Sequence, residues 1–341
     1  MVKKNEDGKN KEMKLLITID TECDNAWARS KSVTTKNARY LPRFQELCES
    51  FGCKPTYLVA YEMAVDDFFR EFATDILRRG TGEIGAHLHP WNSPPSYDLT
   101  SDDMKYHPYL IEYPENIMRQ KLKFLRCLLE DTFSTKVNSH RAGRWPINPT
   151  YARMLADFDY KVDCSVTPYI VWRSEWRPPG DPPCPVIDYS SFPEKPYFLC
   201  SDDISKAGDL SILEIPVTVI PRYGHLLKKM YSMVPQGIMR RGMHFLFGRP
   251  VMWFRPHPAF LNDLMIVAKR CLDLKLDYIM FMLHSSELMP GGSPNFRRKS
   301  DVDRMYDKIE KAFEFLADNK TTGYTCYEYY KYHLSKVIGN S

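Results

Sequence analysis

Two histidines one residue apart, His87 and His89 in GEIGAHLHPW, and two carboxylates at the same spacing, Asp20 and Glu22 in ITIDTECD, are the residues best suited to chemistry in this chain. Side chains two positions apart on an extended strand point to one face, so His-x-His at a strand end can offer two imidazoles to one metal ion. An Asp-x-Glu pair on a neighbouring strand end adds carboxylates, and the four together would make a hydrolytic metal site. Taken singly, each pair has a plainer explanation: an isolated Asp-x-Glu caps helices or faces solvent, and a lone histidine pair is satisfied in a core or on a surface. Their joint occurrence after two apolar runs favours the metal site.

Three further polar clusters follow predicted strands. SHRAGRWP holds Arg141 and Arg144 with Trp145; a guanidinium can grip a carboxylate with two fixed donors and an indole can stack on a sugar face, although a surface salt bridge would use the same residues. VDCSVTP holds Asp163, and FMLHSSEL holds His284. Active sites of α/β folds gather at the carboxyl ends of strands, which is where these groups fall.

The elements that must position them alternate. Lys14–Asp20, Lys54–Ala60, Glu83–His89, Val137–Arg141, Tyr160–Ser165, Ser211–Ile220 and Tyr278–His284 read as strands. Helical spacing of apolar residues predicts helices over 36–51, 66–79, 114–131, 148–158, 262–274 and 300–319, with Gly52 and Gly80 as stops. This is the α/β pattern. Residues 1–12 read as a disordered tail and 13–335 as one catalytic domain carrying two insertions. The first, near 92–115, is rich in Pro, Tyr and Asp. The second, near 168–200, is rich in Pro and Trp and is expected to cover the site.

The 341 residues are 43% hydrophobic, enough for a substantial core. The formal charge of +4 comes from interspersed signs, with no basic run beyond stretches such as Arg297-Arg298-Lys299, which argues against a nucleic-acid binder. Nine cysteines without a CxxC pair read as reduced thiols of a cytoplasmic protein. The polar start lacks the apolar core of a secretion signal, and no stretch approaches the roughly 18 apolar residues of a membrane span, so no stable membrane insertion is expected. The sequence leaves the oligomeric state open.

In order and content the clusters resemble the polysaccharide deacetylase family over residues 13–290. The resemblance implies a distorted (β/α) barrel, a metal-dependent hydrolase, and removal of acetyl from an N-acetylated sugar of a surface polysaccharide or glycan precursor. It implies Asp20 as catalytic base and Glu22 with His87 as metal ligands. It further implies Arg141 orienting Asp20, and His284 as general acid oriented by Asp163. The family's second motif is His-x-x-x-His, whereas Trp91 stands four residues after His87, so His89 is expected to serve as the second imidazole ligand. The imidazole-rich set suits Zn²⁺ among divalent metals. Trp91, Arg144 and Trp145 are the expected contacts to the carbohydrate substrate.

Two other readings use the same residues. An amidohydrolase or phosphoesterase barrel would recruit His225, His257 or His284 as extra ligands, but it would place His-x-His on its first strand, where this chain has its acidic motif. A degenerate barrel would bind glycans through Trp91, Trp145, Trp172 and Trp176 without hydrolysis. The stretch 222–256 reads as an amphipathic core helix or as a surface for a partner or lipid.

Overall fold

The apolar run LLITI becomes the centre of β1 (Lys14–Thr21), which is buried at every position. That requires cover on both faces and partners on both edges. The computed structural model describes residues 12–24, 33–173, 177, 183–223 and 250–339; the expected tail up to residue 11, Trp176, His225 and most of the 222–256 stretch lie outside these residues. Numbered along the chain, the strands are β1, β2 (Thr56–Val59), β3 (Glu83–Leu88), β4 (Ser139–Ala142), β5 (Val162–Asp163), β6 (Val171–Arg173), β7 (Val186–Asp188), β8 (Tyr197–Phe198), β9 (Leu213–Glu214), β10 (Val219–Pro221), β11 (Val251–Trp253), β12 (Tyr278–His284) and β13 (Thr322–Tyr324). Helices α1 (Leu41–Ser50), α2 (Tyr61–Ala64), α3 (Asp67–Arg79), α4 (Asp103–Tyr106), α5 (Glu115–Phe133), α6 (Pro149–Asp157), α7 (Asp263–Asp273), α8 (Lys299–Asp318) and α9 (Cys326–Gly339) connect or cover them.

The main sheet runs β12-β1-β2-β3-β4-β5-β9-β8, with β13 beside the start of β1. All its pairings are parallel except β8 on β9. The sheet curls until the chain continuing from β9 meets the outer edge of β12: Tyr278 Oη donates to Pro216 O at 2.5 Å and the Met280 amide donates to Thr218 Oγ1 at 2.8 Å. The result is a distorted (β/α) barrel, as expected. Parallel strands bring their carboxyl ends to one mouth, so the ends of β1, β3, β4 and β12 share it.

The opposite mouth is plugged. Half-buried Glu83 accepts from Ser139 Oγ and Thr56 Oγ1 and from the Tyr327 amide at the start of α9, while the Cys326 amide donates to Thr56 Oγ1. Gly85 lies between β2 and β4, where a Cβ would stand 2.7 Å from Ser139 O and 2.8 Å from Leu58; only glycine lets β3 sit there.

Helix boundaries follow local chemistry. α3 starts where Asp66 accepts the Phe69 amide at 2.8 Å and stops at Gly80 in the left-handed region, φ 66°; such a cap contributes about 1 kcal/mol. The helix expected over 36–51 opens as a 3-10 turn (Lys36–Tyr40), and α1 proper begins at Leu41-Pro42, because proline has no N–H to give and suits a first turn. The strand expected over 211–220 is divided at Pro216, which cannot donate to a ladder: β9 stays in the main sheet and β10 pairs antiparallel with β11.

The two expected insertions meet. Lys121 on α5 is buried, donates to Ser93 O and Pro95 O at 2.6 and 2.7 Å, and is pulled down to about 8 by burial. It thereby pins the chain just beyond Trp91. Arg177 then joins Glu112 and Tyr106 O of this first insertion to the second, which includes the β6–β7 hairpin. No helix among the described residues is long and apolar enough to cross a membrane.

Candidate active site

At the open mouth, Glu22, His87 and His89 offer ligand atoms that all lie within 4.8 Å of one another, and all three side chains are buried. His87 ends the inward-facing row Gly85–His87 of β3, and its Nδ1 donates to Arg141 O at 3.0 Å. That bond holds the ring by Nδ1 and turns Nε2 to Glu22 Oε2, 3.6 Å away. His89 lies one residue beyond the strand on the same side, with Nε2 2.6 Å from the same carboxylate oxygen.

Burial drives the His89 imidazole down to about 4 despite its bond to Glu22, so the ring is neutral at neutral pH, as a metal ligand must be. Its Nδ1 is buried with no hydrogen-bond partner among the described residues. Glu22 shows the opposite balance: burial alone would raise it, but bonds from His87 and His89 hold it well below the usual carboxylate range. Two imidazoles and an ionised carboxylate, with Nε2 of His87 already presented, fit a divalent cation of the zinc type. Neither His257 nor His284 joins the cluster among the described residues; the His257 ring accepts the Ala259 amide.

Position is enforced around these ligands. Ser285 Oγ accepts the Glu22 amide at 3.1 Å and donates to Glu22 O at 3.0 Å, and Asn37 Nδ2 donates to both Glu22 O and Ser285 Oγ. Glu62 bridges the two ligand-bearing turns, taking the Cys23 amide at 2.8 Å and Asn92 Nδ2 at 2.7 Å. Gly143 packs so closely that a Cβ there would come within 2.5 Å of His89 Nδ1 and 2.4 Å of Leu88 O.

Asp20 stands beside the ligands. Arg141, fully buried, reaches across the barrel to donate to Asp20 Oδ1 at 2.5 Å, to Thr18 Oγ1 at 2.9 Å and to Cys164 O at 2.9 Å. Burial would raise the Asp20 carboxyl, but Arg141, with help from His87 and His284, outweighs it and keeps Asp20 below its ordinary value. Oδ2 lies 3.7 Å from His284 Nε2. β1 and β12 are in register at this pair, which is why the two side chains face each other.

The expected orientation of His284 by Asp163 does not form. Asp163 is in register with His140, not with Arg141, and side chains alternate across a sheet, so Asp163 projects to the face opposite the site. There it binds His140 Nδ1 at 2.6 Å and Ser165, and sits beside Glu214, whose carboxyl burial and Asp163 push well above its usual range. His284 is instead flanked by Glu287: the His284 amide donates to Glu287 Oε2 at 3.0 Å, and Nδ1 lies 3.4 Å from the same oxygen.

Glu287 titration gives a test in stability. Burial opposes its ionisation, yet Arg255 and His284 pull it from 4.5 to about 2. A carboxyl depressed on folding stabilises the fold above its unfolded value and loses that contribution as pH falls through its folded value, here from about 4.5 down to about 2. Glu287→Gln is therefore expected to be less stable by on the order of 3 kcal/mol near neutral pH. Urea denaturation should show the gap closing across that acid window; a gap independent of pH would remove this role.

Trp91 tilts over the His89 ring at 4.3 Å between centroids, and Arg144 lies over Trp91 at 5.3 Å. Arg144 and Trp145 both adopt positive φ, 59° and 80°, a strained turn that follows Gly143. Trp145 is 6% exposed, stacked on Trp172 at 5.7 Å and edge-on to Trp253, so its ring is chiefly part of a packed three-tryptophan cluster.

Neither a protein-family model nor a curated protein matches the chain. Solved structures do. One from Parabacteroides distasonis, provisionally described as a glycoside hydrolase/deacetylase, superposes with a TM-score of 0.52 at 11% identity, covering 93% of this chain and 70% of its own. The likeness is one of fold, the distorted (β/α) barrel. Other matches are a structure from Mycobacterium smegmatis, provisionally described as a polysaccharide deacetylase (TM-score 0.48, 16% identity, 93% and 94% covered), and a carbohydrate esterase family 4 pseudoenzyme from Bacillus anthracis (0.43, 10%, 94% and 66%).

Proposed function

We propose that this chain is a metal-dependent hydrolase that removes acetyl from an N-acetylated sugar. The observation that carries the proposal is the side-by-side placement of two units at the barrel mouth: the Glu22–His87–His89 donor set, and the Asp20 carboxylate held by Arg141 with one oxygen turned to His284. Bound there, a divalent cation supplies polarisation of the acetamide carbonyl and acidifies water. Asp20, whose Oδ1 is occupied by Arg141, has Oδ2 available to take the proton of the attacking water. His284 Nε2 faces the same space and is suited to return a proton to the departing sugar amine. Trp91 and Arg144 rim the site beside His89, where a sugar ring could rest on the indole.

The decisive assay is acetate release from N-acetylglucosamine oligosaccharides by protein loaded with Zn²⁺. Release that is abolished by a chelator and restored by Zn²⁺ is the expected result. No release from any N-acetylated sugar by the zinc-loaded protein would overturn the proposal, and glycan retention without turnover would favour the non-hydrolytic glycan-binding reading.

A further inference from the structure

Glu287 is the third residue of a short 3-10 turn (Ser285–Leu288), and its bond to the His284 amide is an ordinary capping contact. A cap alone does not explain its surroundings. The Glu287 side chain is completely buried, and Arg255, from the chain just after β11, places Nη2 3.2 and 3.3 Å from its two oxygens. The same Nη2 lies 3.3 Å from His284 Nδ1, which is itself 3.4 Å from Glu287 Oε2.

These two neighbours make opposite demands on one nitrogen. A guanidinium only donates, so a bond from Arg255 needs a lone pair on Nδ1 and leaves the neutral ring's proton on Nε2. An ionised carboxylate only accepts, so a bond to Glu287 needs Nδ1–H. Only the second arrangement suits a group that must give up its Nε2 proton: after transfer, the neutral ring keeps Nδ1–H on Glu287 and needs no rearrangement.

We propose that Glu287, itself held by Arg255, is the positioning residue that fixes the Nδ1–H form of His284 and turns its Nε2 toward Asp20 and the reacting atoms. The inference rests on the deacetylase reading for its catalytic meaning. Among the described residues, the charged groups facing His284 include Asp20 on β1, Glu22 just beyond it, Arg255 after β11 and Glu287 in its own turn. In the proton step, the Nε2–H bond of the imidazolium breaks and an N–H bond forms on the leaving amine, while Nδ1–H stays on Glu287; water reprotonates Nε2 afterwards.

The test is the tautomer of the neutral His284 ring, read by ¹⁵N NMR on the full-length protein, alongside steady-state rates. In wild type, and in Arg255→Met, the proton is expected on Nδ1. In Glu287→Leu no acceptor opposes the claim of Arg255 on Nδ1, so the proton should move to Nε2. The rate constant kcat should fall roughly 10- to 100-fold with KM unchanged, as for impaired general acid catalysis. An Nε2–H ring in wild type, or the same tautomer in Glu287→Leu as in wild type, would overturn the proposal. Because the tautomer is read without turnover, a wild-type protein that releases no acetate sinks the deacetylase reading alone. If Glu287→Leu does not fold, the wild-type and Arg255→Met tautomers still decide the matter.

Discussion

Asp20→Asn is expected to lower acetate release by roughly 10²- to 10⁴-fold while the protein still binds Zn²⁺, because the amide keeps the shape of the carboxylate but cannot take a proton from water. The substitution has a second effect. Arg141 is fully buried and, among the described residues, Asp20 is the carboxylate it pairs with, so neutralising Asp20 leaves a buried charge uncompensated, at a cost of about 3–5 kcal/mol of stability. The rate must therefore be measured at a temperature where circular dichroism shows the variant folded. A companion variant separates the two effects: Arg141→Met breaks the same ion pair but leaves the carboxylate, so it should lose comparable stability and less activity. Loss of bound Zn²⁺ in Asp20→Asn, measured on folded protein, would make Asp20 a ligand and leave the base unidentified.

How much of this was legible in the chain depends on the range of the interaction. The strand ends at Asp20, His87 and His284 follow from apolar runs that stop at polar residues, a local signal, and parallel pairing then brings them to one mouth. Asp163 shows the limit. β5 has two residues, so its pattern could not say which faces inward, and a one-residue difference in register sends the side chain to the opposite face. Glu287 left a trace, the His-Ser-Ser-Glu spacing of a capped turn, but its partner Arg255 lies on a distant strand end, and nothing local marks it. Asn37 and Glu62 act through backbone amides and carbonyls far along the chain, for which composition and periodicity carry no signal. β13 and α9 were likewise not predicted: a three-residue strand is too short for a period to register, and the aromatic-rich α9 packs at the closed mouth.

His87→Ala and His89→Ala test the departure from the His-x-x-x-His pattern, and both are expected to reduce Zn²⁺ affinity strongly. The two rings are not equivalent, however. His87 has its Nδ1 proton fixed by Arg141 O, which keeps Nε2 free for a cation, and a ligand with such an outer partner typically depends on it for 10- to 100-fold in affinity. His89 has no partner on Nδ1 among the described residues, and its Nε2 binds Glu22 directly. When a cation takes that Nε2 lone pair, the ring must carry its proton on the unpartnered Nδ1, which costs part of what the bond provides. His87→Ala should therefore be the more damaging of the two, and retained stoichiometric Zn²⁺ in His87→Ala and Glu22→Ala would remove the metal assignment altogether. Calorimetric titration of folded His89→Ala with Zn²⁺ then decides the role of the second histidine. Weakened affinity makes it a ligand. Wild-type affinity combined with lost acetate release would assign His89, packed beneath Trp91, to holding the sugar instead.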